Sequence, residues 1–250
     1  MIHDKRYFTG DRLFFETLIS TNDHMLAMLK DGNPAEGTVI YTGFQTGGRG
    51  HMGNTWESEK GKNLLFSILL FPDFLLPSGQ FELSKIVSLA LTDVVGMYSS
   101  KVLIKWPNDI LVNGKKIAGI LIENVVTFNR ITRCIVGIGL NVNQEKFSSD
   151  IPNPTSLLLE ARCQFDMTDL LNQAIKRIEY WYNLLYQDNL DQIDREYLKR
   201  LYRMNELSEF SEKGKKFKAR IIGIKPMGEL IVETSEGNRL TLGFKDVEFL

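Results

Sequence analysis

Cysteine is scarce in this chain. Cys134, inside an apolar run, and Cys163, near a helix start, are the only two, and neither sits in a CxxC or Cys/His cluster. That excludes a disulfide scaffold and a zinc site of ordinary spacing, and leaves two reduced thiols with no expected part in catalysis. An excess of charge of either sign is also missing. Thirty basic residues against 31 acidic ones give a formal net charge of −1, so no global field draws the chain to nucleic acid or anionic membrane, and an anionic ligand must be held by a few local cations. Long apolar runs are absent too. The longest, Leu64 to Phe71, is interrupted by Ser67 and is too short to span a bilayer, and Met1 to Arg12 is polar with no apolar signal core. Repeats and low-complexity tracts do not occur. These absences predict a soluble cytoplasmic protein. At 250 residues it is long enough for one main domain with a full hydrophobic core and a small appended module.

What is present reads as mixed α and β. Val39 to Thr42, Asn63 to Phe71, Lys101 to Trp106, Ile117 to Glu123 and Cys134 to Asn143 have the β-branched and apolar content of strands. Phe81 to Val95, the segment near Ser20 to Leu29, and the series Leu171, Ile175, Ile178, Tyr182, Leu185 carry helical spacing. Asn113-Gly114 between two apolar runs predicts a two-residue hairpin, because a type I′ turn needs positive φ at both positions. The aromatics Tyr180, Trp181, Tyr182, Tyr186, Tyr197 and Tyr202 are read as packing residues. After Met204 the pattern changes to short strands broken at Met227-Gly228 and Glu236-Gly237, which predicts a small β-barrel-like module over residues 207–250 after a main domain over 1–206. Its basic run, Lys213, Lys215, Lys216 and Lys218, reads as a solvated loop.

The glycines of Gly47-Gly48-Arg49-Gly50-His51-Met52-Gly53 satisfy G-x-G-x-x-G through Gly48, Gly50 and Gly53. A dinucleotide-binding unit needs a helix immediately after them, yet Asn63 follows only ten positions after Gly53 and the nine residues between show no helical period. Asp73, twenty residues beyond Gly53, is therefore a coincidental match to a ribose-binding acid. No Gly-Lys-Ser/Thr follows, so the loop is not a P-loop. It offers close backbone approach, N–H donors and the Arg49 guanidinium, which suit an anionic ligand; a plain loop between two strands is the alternative.

Further segments weigh against the plain loop: Ser20-Thr21-Asn22-Asp23, Gln45, Lys105-Trp106-Pro107-Asn108-Asp109-Ile110, Lys116-Ile117-Ala118-Gly119-Ile120-Leu121-Ile122-Glu123 and Gly137-Ile138-Gly139-Leu140-Asn141-Val142-Asn143. In order, spacing and content this set resembles the biotin protein ligase family over nearly its whole catalytic domain, in a short form lacking an N-terminal DNA-binding domain, and 207–250 looks like its small SH3-like C-terminal domain. The resemblance implies activation of biotin with ATP to biotinyl-5′-AMP, with Mg²⁺, and transfer to a lysine of a biotin carboxyl carrier protein or domain of a biotin-dependent carboxylase. It implies a biotin pocket of Ser20, Thr21, Asn22, Gln45, Arg49, Gly50, His51, Lys116 and Gly119. For ATP and the adenylate it implies Arg49, Trp56, Lys105, Asn108, Lys116 and Asn141, with Trp56 beside the adenylate and Asn141 on the adenine. No metal-ligand set is assigned.

The chemistry of that reaction supports the same residues. A carboxylate brought to a phosphate meets a repulsion of roughly 4 kcal/mol at about 4 Å for an effective dielectric of about 20. Fixed cations must offset it: Arg49 can fork onto phosphate oxygens, and Lys116, folded back toward Asp109 by the Asn113-Gly114 hairpin, can lie between the two anions. The catalytic set is thus Lys116, Arg49 and Asp109, with Asp109 a candidate metal ligand, orienter of Lys116, or base for the incoming lysine. Ser20-Thr21-Asn22 should also cap the following helix. One departure stands out: many family members carry a second arginine shortly after Gly-Arg-Gly, associated with closing the loop over the intermediate, whereas this chain has His51 and Met52.

Two rivals come from neighbouring classes. Lipoate and octanoate ligases resemble this pattern but carry an Arg-Arg-x-x-Gly-Gly-Gly type loop that is absent here, and acyl transfer through cysteine would need a base motif near Cys134 or Cys163. A biotinyl-adenylate-sensing DNA regulator would need a reading domain, and fewer than twenty residues precede Ser20. The predicted fold is α+β, a mixed, mainly antiparallel sheet with helices on one side plus a C-terminal barrel. Homodimerisation through exposed sheet edges is left open, and no specific DNA or membrane partner is expected.

Overall fold

The computed structural model describes residues 6–244 and 246–250, apart from the side chain of Met52. Seven strands form the main sheet: β1 (Arg12–Phe15), β2 (Val39–Thr42), β3 (Asn63–Leu70), β4 (Val102–Lys105), β5 (Asp109–Val112), β6 (Lys115–Thr127) and β7 (Arg130–Asn141), in the order β1-β2-β3-β7-β6-β5-β4. Only β1 and β2 pair in parallel; every other neighbour in this sheet is antiparallel. The mixed, mainly antiparallel α+β sheet expected from the sequence is present, with β1 as an addition that its short, weakly patterned segment did not announce.

The helices correct one expectation. They lie on both faces of the sheet, not one. Every residue of β3 is buried, as a strand covered on both sides must be. Leu64, Phe66, Ile68 and Leu70 join the larger core under α2 (Phe81–Gly96), α4 (Met167–Tyr186) and α5 (Leu190–Lys199). Leu69 turns the other way and packs with Ile40, Ile135 and Met25 of α1 (Thr21–Asp31). A short α3 (Leu157–Ala161) follows β7. The face under α1 is the thinner one, and it leaves room for a cleft. No helix among the described residues is long and apolar enough to cross a membrane.

Residues 208–250 form a second sheet: β8 (Ser208–Glu212), β9 (Lys215–Ile224), β10 (Leu230–Thr234), β11 (Arg239–Leu242) and β12 (Val247–Phe249), ordered β11-β10-β9-β8-β12 and antiparallel throughout. Among the described residues β11 and β12 are not paired with each other, so the expected barrel is an open five-stranded sheet. The basic run is not a loop. Lys213 and Gly214 make the positive-φ turn between β8 and β9, and Lys215, Lys216 and Lys218 lie along β9, exposed to solvent.

Trp106 joins the two sheets. It is buried, stacks on Phe244 with ring centroids 5.2 Å apart, and donates its indole N–H to the Gly228 carbonyl at 2.8 Å. Removing a buried indole costs about 3–5 kcal/mol through lost burial and the void left behind. Trp106→Ala is expected to lower stability by that amount in urea denaturation, and to separate unfolding of the C-terminal sheet from that of the main sheet.

Candidate active site

Aromatic side chains rest on a β-sheet where the sheet has no side chains of its own. On the α1 face, Asp109, Gly119, Gly139 and Leu65 stand opposite one another across β5, β6, β7 and β3. The Trp56 indole covers the two glycines. A methyl at Gly139 would sit 2.7 Å from the indole nitrogen, and one at Gly119 would sit 3.0 Å from its ring edge. Trp56 is delivered by the glycine loop, which folds as a small hairpin: Trp56 N–H donates to Gly48 O, Gly50 N–H to Asn54 O, and Arg49 bridges Thr55. No helix follows, because β2 runs into β3 as an antiparallel pair, and this agrees with setting the dinucleotide reading aside. The loop's expected anion-binding amides are partly spent, since Gly47 N–H also goes to Ile19 O.

A β-bulge aims the central lysine. In β6, Ala118 pairs with Ile110 while Lys116 pairs with Leu111, leaving Ile117 as an extra residue. Side chains alternate along a regular strand, so Lys116 and Gly119, three apart, would point to opposite faces; the extra residue restores them to one. Lys116 Nζ consequently lies 2.7 Å from Asp109 Oδ1 and 5.8 Å from the Trp56 ring. The turn that starts β6 has positive φ at Asn113 and Gly114, as expected.

The opposite end of the cleft is an array of amides and hydroxyls. Ser20 caps α1, its hydroxyl accepting from Asp23 N–H. Thr21 donates its backbone N–H and its hydroxyl to Gln45 Oε1 at 2.8 and 3.1 Å. Asn22 donates to Glu123 Oε2 at 2.7 Å, and its carboxamide fills the space over Gly137, where any Cβ would overlap it.

Of the residues expected at the site, Ser20, Thr21, Asn22, Gln45, Arg49, Gly50, His51, Trp56, Asn108, Asp109, Lys116 and Gly119 line one cleft. Asn108 braces its floor by donating to Ile120 O at 2.8 Å. His51 stands edge-on to Phe244 of the C-terminal sheet, centroids 6.0 Å apart; the side chain of Met52 is outside the described residues. Two residues are not brought in. Lys105 is drawn to the Phe249 ring, 5.5 Å from its centroid, so it does not reach the cleft as a supporting cation. Asn141 is buried one step beyond the floor, its amide donating to Thr155 O. Its Oδ1, like the Trp56 indole N–H, has no partner among the described residues.

Sequence reasoning missed the carboxylates that hold Arg49. Its Nη2 lies 2.7 Å from Asp23 Oδ1 and 2.9 Å from Glu123 Oε2, so the guanidinium faces two acids and not an open phosphate site. Both acids end motifs that were singled out, which was the available signal. Cys134 is fully buried and burial pushes its thiol well above the usual range, which removes it as a nucleophile. Gly139→Ala is expected to expel Trp56 from the floor, seen as a shift of tryptophan fluorescence, and to cut any activity of the cleft at least about tenfold while the fold persists.

A model of the Biotin/lipoate A/B protein ligase family matches residues 14–143. The Bifunctional ligase/repressor BirA of Bacillus spizizenii is 37% identical over 145 residues, which are 58% of this chain and 44% of that protein. The BirA of Bacillus subtilis is 30% identical over 236 residues, 91% of this chain and 71% of its own. This chain thus spans less than half of the first relative and about seven-tenths of the second. The solved structure of a biotin protein ligase from Aquifex aeolicus in complex with biotin and ATP shares the fold with a TM-score of 0.80 at 24% identity, over 96% of this chain and 99% of that one. With a family match over more than half its length and a 30% identical relative covered for most of its own, the chain belongs to the Biotin/lipoate A/B protein ligase family.

Proposed function

We propose that the chain is an ATP-dependent biotin protein ligase: it joins the biotin carboxylate to the α-phosphate of ATP and passes the biotinyl group to a lysine of a biotin carboxyl carrier protein or domain. The observation that carries this reading is the placing of Lys116, 2.7 Å from Asp109 and 5.8 Å from the Trp56 ring, in one cleft with the polar array of Ser20, Thr21, Asn22 and Gln45. A point cation there offsets the repulsion between carboxylate and phosphate as they meet.

The polar array favours biotin within the family. A cyclic urea has two N–H donors and one carbonyl acceptor, which Asn22, Gln45 and the hydroxyls of Ser20 and Thr21 can satisfy. The dithiolane of lipoate and the tail of octanoate have no such groups and would leave the Gln45 NH₂ and the spare Asn22 Oδ1 lone pair unmatched, a cost of about 1–3 kcal/mol each. The unpartnered Trp56 indole N–H is a donor of the kind an adenine edge requires. Arg49 serves phosphate once it leaves Asp23 and Glu123. No group of three or more His, Cys, Asp or Glu side chains around one point occurs among the described residues. This fits Mg²⁺ arriving on the ATP phosphates and keeping most of its water, with Asp109 the nearby carboxylate; bound there, it would neutralise the departing pyrophosphate. The acceptor lysine, with a pKa of about 10.4 in water, must lose a proton before it attacks. Asp109 takes that proton. A homodimer would use the open edge of β1, where Phe14 is half exposed.

ATP–pyrophosphate exchange with Mg²⁺ tests the reading, run in parallel with biotin, lipoate and octanoate. Exchange with biotin alone is expected; exchange with lipoate or octanoate moves the chain to the sister ligases, and exchange with none removes the activity. Asp109→Ala should lose most transfer to the carrier yet keep measurable exchange, and loss of both half-reactions together would overturn its role as base. Because His51 replaces an arginine, bound adenylate is expected to leak faster from this chain than from His51→Arg; equal dissociation rates would show that the histidine holds the loop equally well.

A further inference from the structure

Ser67 is the one hydroxyl in the apolar stretch Leu64–Leu70 of β3, at 0% exposure. A buried hydroxyl in such a strand contributes nothing to the sheet ladder and is costly unless paired. Its partners are both residues of the polar array: Oγ lies 2.6 Å from Asn22 Oδ1 and 2.7 Å from Thr21 Oγ1. Gly137 stands opposite Ser67 in the neighbouring strand, and its missing side chain makes room for the Asn22 carboxamide.

Proton bookkeeping fixes the direction of these bonds. The Glu123 carboxylate is an acceptor, so the Asn22 amide nitrogen must face it, at 2.7 Å, which turns Asn22 Oδ1 toward Ser67. A carbonyl oxygen cannot donate, so the single Ser67 proton goes to Asn22. Ser67 Oγ is then an acceptor toward Thr21, whose single hydroxyl proton is shared between Ser67 Oγ at 2.7 Å and Gln45 Oε1 at 3.1 Å. That oxygen also receives the Thr21 backbone N–H, so Gln45 keeps its NH₂ for the cleft. The result is an NH₂ donor group on Gln45 and one spare lone pair on Asn22, the complement of a urea carbonyl and its adjacent N–H.

We propose that Ser67, buried behind the cleft, is a positioning residue that locks Thr21 and Asn22 in the orientation that reads a cyclic urea, and so sets selectivity for a ureido substrate. This rests on the biotin ligase reading. A hydroxyl that merely fills space predicts that its removal changes biotin KM, ATP KM and kcat together.

The test measures pyrophosphate exchange and direct biotin binding for the unaltered chain, Ser67→Ala, and Ser67→Cys, in which a thiol of similar size donates weakly. In Ser67→Ala the biotin KM and Kd should rise about tenfold, with kcat at saturating biotin and the ATP KM within about twofold. Ser67→Cys should recover part of the loss, and it carries the test alone if the alanine variant does not fold. Unchanged biotin affinity in the variants, or a parallel decline of biotin KM, ATP KM and kcat, overturns the role. If the unaltered chain itself fails to bind biotin, the ligase reading fails and not the positioning argument.

Discussion

The cleft exists because the Trp56 indole lies flat on a β-sheet, and it does so only where β6 and β7 carry no side chain. Gly119 and Gly139 stand side by side in the ladder, so one patch of bare backbone receives the ring. Several other placements follow. The glycine loop must fold as a hairpin to deliver the indole, Lys116 then lies near its face, and Asn22 finds its own place over Gly137. The thinner of the two cores, under α1, leaves this patch uncovered. A single methyl at the wrong glycine therefore does more than fill space; it removes the surface on which the other groups are arranged.

Much of this was legible in the sequence, for identifiable reasons. Asn113-Gly114 fixes a turn type through φ, Ser20 offers its hydroxyl at a helix start, and the failure of a helix to follow Gly53 rules out a dinucleotide loop; all three are local and short-range. What escaped depended on partners distant in sequence. The bulge at Ile117 changes which way Lys116 points, and nothing in Lys115 to Gly119 announces it, because a bulge is a property of two strands. The acids opposite Arg49 come from α1 and the middle of β6. Lys105 shares a motif with Asp109 but is captured by Phe249, which arrives from the far end of the chain. The covering of the sheet on both faces was written in β3, whose eight residues are all buried, yet a continuous apolar run is also what one buried face of a thick core produces. The open C-terminal sheet differs from the expected barrel in the pairing of its end strands, which periodicity does not encode.

The two sheets are packed together beside the cleft. Trp106, in the middle of a motif that reads as catalytic, is a packing residue: its ring stacks on Phe244 and its N–H caps Gly228 O. Phe244 in turn touches His51 of the glycine loop. The Lys105–Asp109 segment thus has a division of labour in which Asp109 faces the cleft, Asn108 braces β6, and Trp106 and Lys105 hold the second sheet.

The cations of the cleft are stored against carboxylates. Arg49 is shared by Asp23 and Glu123, and Lys116 is matched by Asp109; two positive and three negative side chains leave a formal local charge of −1. An anionic substrate is thus not drawn in by an open positive funnel, and its capture does not depend on long-range steering. On the biotin ligase reading, binding is an exchange in which each new contact to a phosphate or carboxylate replaces one already made inside the protein. In such an exchange added salt screens the old pair and the new one alike, so the affinity of the site should respond to ionic strength far less than the charge of its ligands suggests.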